Sequence, residues 1–180
     1  GWPTGERFHV PYEVYEHTRQ AVEEGRRQEI AWSETVSAYR EAYPDSCELF
    51  MKAMEGAVPE YEAEQVPTFD PDEGPLATRN ASGETLQSLA ANICTLVGGS
   101  ADLAPSNKTH LEGYGDFRAD KTGRNLHFGV REHAMGAITN GMALHGGLLP
   151  FDATFFTFSD YMRPALRLAA LMTLRRVTVF

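Results

Sequence analysis

Four short apolar runs set between helical stretches constrain this chain more than any other feature. They are Thr95-Leu96-Val97-Gly98-Gly99, Leu126-His127-Phe128, Leu148 to Ala153, and Val177-Thr178-Val179-Phe180. A helix from about Gly83 to Ile93, capped by Ser82, leads into the first run. Another from about Glu132 to His145 precedes the third and is stopped by Gly146-Gly147. A third from about Phe155 to Leu174 precedes the fourth. Strands joined through helices pair in parallel and carry those helices on the sheet faces. The expected fold class is therefore α/β, with functional groups at the carboxyl ends of the strands. The last run is still apolar where the sequence stops, so the expectation is an incomplete parallel-sheet domain, truncated on this side.

The first part of the chain has a different texture. Pro11 suits a first helical turn, and Val14, Ala21 and Val22 follow at helical spacing. Gly25 is expected to weaken or end that helix. A second helix is expected from about Gln28 to Ala42, burying Ile30, Trp32, Val36 and Tyr39. Pro44-Asp45 marks a break, and Cys47 to Met54 resumes. Glu and Arg at helical spacing suit solvated faces here, and no chemistry is evident. Residues 57 to 76 hold Pro59, Pro67, Pro71, Gly74 and Pro75 among carboxylates, which reads as a linker. The expected division is 1–75 and 76–180.

Composition narrows the function classes. A hydrophobic fraction of 42% is enough to fill a core. With 25 acidic against 16 basic residues the net charge is -9, which argues against a nucleic-acid partner. A small anionic substrate needs only a few local cations and stays allowed. No stretch approaches the roughly 18 apolar residues of a membrane span, and the first residues do not form a signal peptide. A soluble, cytoplasmic protein is the expectation. Cys47 and Cys94 have no metal-ligand spacing and read as reduced buried thiols. No metal ligand is assigned in this chain.

Four segments carry candidate chemistry. In Gly98-Gly99-Ser100-Ala101-Asp102-Leu103-Ala104-Pro105-Ser106-Asn107, small residues after a strand let a ligand approach the backbone, and Asp102 and Ser106 project from the loop. An ordinary turn accounts for the same residues. In Phe128-Gly129-Val130-Arg131-Glu132-His133-Ala134-Met135-Gly136, charged residues open an otherwise small and apolar helix, where they need partners. Acidic first-turn residues favoured by the helix dipole explain Glu132 but not the whole run. Phe155, Phe158 and Tyr161 lie along one helical face and form either core or a pocket for a flat heterocycle. Arg79 stands near a helix start, where it can hold a phosphate in two-point contact, although surface arginines are common.

Together, in this order and spacing, these segments resemble the transketolase family. Gly-Gly-Ser-Ala-Asp-Leu (98 to 103), Pro-Ser-Asn (105 to 107) and Gly-Val-Arg-Glu-His-Ala-Met-Gly (129 to 136) carry the resemblance, and Val10-Pro11-Tyr12-Glu13-Val14-Tyr15-Glu16-His17 extends it upstream. It implies the helical tail of a pyrophosphate-binding domain plus linker over 1–75, then the first part of a pyrimidine-binding domain over 76–180. It implies transfer of a two-carbon ketol unit between sugar phosphates through a thiamine diphosphate ylid.

By the same resemblance Glu132 faces the aminopyrimidine ring and donates to a ring nitrogen, for which it must hold a proton. Apolar ring walls favour that form. Phe158 stacks on the pyrimidine, and Phe155 and Tyr161 are its pocket neighbours. Asp102 lies near the cofactor at a dimer interface, and Arg79 and Ser106 bind substrate phosphate. A divalent metal, Mg or Ca, is bound by a part of the enzyme absent here, and the active site forms between two subunits of a homodimer. The segment alone is expected to be inactive. Dihydroxyacetone synthase shares nearly the same motifs in this region, and a non-catalytic remnant is a reading of a different class. Deoxyxylulose phosphate synthase fits less well around Arg-Glu-His-Ala-Met-Gly.

Overall fold

The computed structural model describes residues 2–57 and 63–180. Pro59, expected in the linker, lies outside the described residues. The chain divides into two compact units, Gly1–Leu49 and Phe50–Phe180.

In the first unit one helix dominates. Helix α1, Tyr12–Ala42, runs straight through Gly25 and buries none of its residues. The expected break at Gly25 is therefore absent. A glycine costs a helix interior about 1 kcal/mol, and the good helix formers on both sides outweigh that. Glu24 pairs with Arg27 and accepts a bond from Gln28 Nε2 at 3.0 Å, adding support around the glycine. The expected buried face is also absent, since Ile30 and Trp32 are more than half exposed. Helix α2, Pro44–Met54, starts with proline at its first position, where the missing N–H is not needed. Cys47 is buried as expected, but Cys94 is exposed.

The second unit contains the sheet. Helix α3 spans Thr78–Asn92 and starts at Ala77, so Ser82 lies inside it and caps nothing. Pro75 disfavours helix upstream, and the Asn80 N–H already bonds to the Ala77 carbonyl at 2.8 Å. Strand β1, Leu96–Ser100, follows, then the short helix α4, Ala104–Asn107. Next come strand β2, Asn125–His127, helix α5, Glu132–His145, and strand β3, Leu149–Ala153. The last predicted helix is split. A 3-10 turn at Phe156–Phe158 leads into α6, Ser159–Leu171, and strand β4, Val177–Val179, closes the series.

The sheet order is β2-β1-β3-β4 and every pairing is parallel. The α/β class expected from the alternation is the one observed. Strand β1 is central and wholly buried, with Gly98 opposite both Asn125 and Phe151. A Cβ at Gly98 would overlap the Phe151 carbonyl oxygen, and one at Gly99 would overlap that of Leu126. Only glycine lets the neighbouring strands come this close.

Alternation along the strands sends side chains to two cores. On one face Leu96, Leu111 and Phe151 pack with Leu86, Ala90 and Ile93 of α3 and its end. On the other, Ala101 and Phe128 pack with Met135 of α5 and Met162 of α6. Gly136 sits where α5 meets α6, and a Cβ there would fall 2.8 Å from that of Ala165.

A buried polar cluster ties the second face together. Asp152 of β3 is fully buried and paired with Arg176, whose side chain is 4% exposed. Thr139 of α5 donates to Asp152 Oδ2 at 2.6 Å. Arg176 also donates to Asn140 Oδ1 at 2.6 Å, to the Gly136 carbonyl at 3.0 Å and to Thr178 Oγ1 at 2.6 Å. Asn140 in turn donates to the Ala165 carbonyl of α6 at 2.9 Å. One guanidinium thus links α5, β3 and β4, and through Asn140 the link reaches α6.

Candidate functional site

Glu132 opens α5, just beyond the carboxyl end of β2. The preceding turn contains Gly129 at φ 68, a conformation suited to glycine. Arg131 fastens that turn by donating from Nη1 to the Phe128 carbonyl at 2.9 Å. The effect is to carry Glu132 inward, where it is only 8% exposed. Thr154, directly after β3 and fully buried, donates from Oγ1 to Glu132 Oε1 at 3.4 Å.

Phe155 and Phe158 follow Thr154. Their rings lie 6.4 Å apart and nearly parallel, at 15°, and Phe158 meets Tyr161 at 6.4 Å with a tilt of 39°. Phe155 and Phe158 are half-buried, and Tyr161 is 66% exposed. The three aromatics are therefore neighbours, as their spacing predicts. They form an open row of rings, and the Glu132 carboxyl meets the Thr154 hydroxyl.

Asp102 stands past the end of β1 with φ 62, in the left-handed region that aspartate tolerates better than most residues. Its turn is held by Ser100 Oγ, which accepts from the Leu103 N–H at 2.7 Å. Ser106 lies on α4 and is exposed, as is Arg79 in the first turn of α3. Helix α3 feeds β1, so its start sits toward the same carboxyl side of the sheet. A groove of about 360 Å³ runs between α3 and α4, lined by Asn80, Gly83, Pro105 and Lys108. Arg79 and Ser106 are the sequence neighbours of Asn80 and Pro105.

A cleft of about 400 Å³ opens over the ends of β1 and β2, lined among others by Gly99, Asp102, His110, Glu112 and His127. It takes in Asp102 but not Glu132 or the aromatics, so this cleft and the buried carboxyl occupy different parts of the same sheet edge. Chemistry needs the positioned, water-shielded group, and Glu132 carries greater weight than cleft size.

Sequence reasoning missed His127 and Asp116. His127 Nε2 lies 2.9 Å from Asp116 Oδ1, and Arg118 donates to Asp116 Oδ2 at 2.8 Å. Those two hydrogen bonds, that from His127 first, hold the Asp116 carboxyl below its ordinary value of 3.8. The signal available was a polar residue inside the apolar run Leu126-His127-Phe128. Asp152, inside the run Leu149–Ala153, carried the same signal.

The geometry suits a flat heterocycle better than a metal. A buried carboxyl, and a half-buried pair of nearly parallel rings that follows Thr154 in the chain, offer an edge to bond and faces to stack. Among the described residues no group of three or more His, Cys, Asp or Glu is placed to hold a metal ion. None of the described helices is long and apolar enough to cross a membrane.

A parallel α/β sheet with these groups at its carboxyl edge places the chain in the class of α/β domains that bind ligands at the strand ends. Residues 74–180 match the family described as "Transketolase, pyrimidine binding domain", and residues 1–59 match "Transketolase, thiamine diphosphate binding domain". The chain belongs to the transketolase family. It is 50% identical to the transketolase of Aquifex aeolicus over 100% of this chain and 26% of that protein. It is 51% identical to that of Bacillus subtilis over 99% of this chain and 27% of that protein. Among solved structures, Leishmania mexicana transketolase superposes with a TM-score of 0.88 at 37% identity, over 97% of this chain and 26% of that one. Pichia stipitis transketolase in complex with sedoheptulose-7-phosphate gives 0.87 at 35%, over 96% and 27%. The chain thus spans about a quarter of the length of the relatives it matches.

Proposed function

We propose that this chain supplies the pyrimidine side of a transketolase active site, in an enzyme that moves a two-carbon ketol unit from a ketose phosphate to an aldose phosphate. The observation that carries this reading is the Glu132 carboxyl, buried at the start of α5 and met by the hydroxyl of Thr154, the residue that precedes the Phe155–Phe158 pair. The family matches and the sugar phosphate bound by the Pichia stipitis relative support it.

Thiamine diphosphate, when bound, supplies the nucleophilic carbon that ordinary side chains lack. The residues of this chain bind and orient. Glu132 holds a proton toward a pyrimidine ring nitrogen. Phe158 stacks on the ring, with Phe155 and Tyr161 beside it, and Asp102 borders the cofactor. Arg79 and Ser106 anchor the substrate phosphate away from the reacting carbon, so that binding energy from a remote group serves orientation. The division between the two binding domains falls in the proline-rich stretch, at about residue 75. A divalent ion, Mg or Ca, is held by residues outside this chain, two copies pair across the active site, and the enzyme works in the cytoplasm.

The test is Glu132→Ala in the full-length enzyme that carries this sequence. Groups placed for proton transfer contribute about 10²–10⁴-fold, so ketol transfer should fall by at least about 100-fold. Near-parent turnover would overturn the assignment.

A further inference from the structure

We propose that Thr154 is a positioning residue that decides which oxygen of the Glu132 carboxyl carries the proton; this rests on the reading of Glu132 given above. Thr154 is fully buried, so its hydroxyl cannot turn to solvent and must donate within the protein. It donates to Oε1 of Glu132 at 3.4 Å. That is longer than a closed hydrogen bond and leaves the contact room to tighten.

Both partners are fixed by the fold rather than by loose loops. The Thr154 N–H bonds to the Val179 carbonyl of β4 at 3.1 Å. Two residues earlier Asp152 is tied to Arg176, and to Thr139 of α5, the helix that Glu132 begins. The hydroxyl and the carboxyl therefore sit on two elements joined by one buried cluster.

A hydroxyl has a single proton to donate. While Thr154 spends it on Oε1, that oxygen is an acceptor, and the proton of the neutral carboxyl belongs on Oε2. Oε2 is then the atom that donates to the pyrimidine nitrogen. Without the hydroxyl the two oxygens become equivalent and the carboxyl is free to present the wrong one.

The test compares Thr154→Val, Thr154→Ser and Glu132→Ala in the full-length enzyme. Three quantities are read: calorimetric affinity of the apoenzyme for thiamine diphosphate in the presence of Mg, kcat, and KM for the sugar phosphates. For Thr154→Val both cofactor affinity and kcat should fall roughly tenfold, with KM unchanged, and Thr154→Ser should restore both. Should the valine variant not fold, Thr154→Ala against Thr154→Ser makes the same comparison, because the two differ by the hydroxyl alone. Valine equal to parent, or serine as defective as the variant without a hydroxyl, would overturn the proposal. Parent-like affinity and kcat in Glu132→Ala would instead bring down the reading of Glu132 itself.

Discussion

Asp116 shows how a residue absent from the sequence argument takes part in the site edge. Its carboxyl is held below 3.8 by bonds from His127 and Arg118. A group whose value is depressed on folding stabilises the fold above its ordinary value, and that contribution is lost as pH falls through the folded one. In Asp116→Asn the melting temperature should therefore drop below the parent's near neutral pH. The gap should close as pH is lowered below 3.8. Because the pair is partly open to solvent the effect will be small; a gap that widens in acid would contradict the sign. Glu132, Asp102 and the aromatics were legible beforehand as candidates because they stand in strongly patterned segments. Thr154 was not, since nothing local marks a threonine after a strand as buried or aimed at a carboxylate twenty-two residues earlier.

Among the elements, the sheet was readable because apolar runs and helical stretches alternate, and α5 runs from Glu132 to His145 as its pattern predicts. The failures have local physical causes. Gly25 lies in a solvated helix where nothing else forces a break, and α3 begins before Ser82 because the backbone upstream of it was already free to turn. The helix expected from Phe155 starts late because the chain makes a tight 3-10 turn at Phe156–Phe158 first. That turn brings the Phe155 and Phe158 rings side by side. How tightly α5 is held to the sheet depends on Arg176. Arg176→Met would leave the buried Asp152 carboxyl without its ion-pair partner, which costs about 3–5 kcal/mol. Thermal or urea unfolding of the full-length enzyme should register that loss. Replacing both residues by apolar ones should recover much of it, and an unchanged melting point in Arg176→Met would show that the cluster contributes little.

Across the whole molecule, the chain spans about a quarter of the length of the transketolases it matches, and on the reading proposed above it supplies one side of a site. The division into Gly1–Leu49 and Phe50–Phe180 falls upstream of the proline-rich stretch, within α2. On the proposed reading Arg79, the sequence neighbour of Asn80 in the groove between α3 and α4, is the remote handle for the substrate. In the full-length enzyme Arg79→Ala should raise KM for phosphorylated sugars by about tenfold, the loss of a charge-assisted contact, and spare unphosphorylated ones. Equal loss with both would indicate a general disturbance instead. The central claim concerns the Glu132 carboxyl, and the most direct measurement is a crystal structure of the full-length enzyme with thiamine diphosphate bound. The account predicts the pyrimidine ring stacked on Phe158, with a Glu132 oxygen roughly 2.6–3.2 Å from a ring nitrogen. A ring bound elsewhere, or a Glu132 carboxyl turned to solvent beside it, would contradict the account.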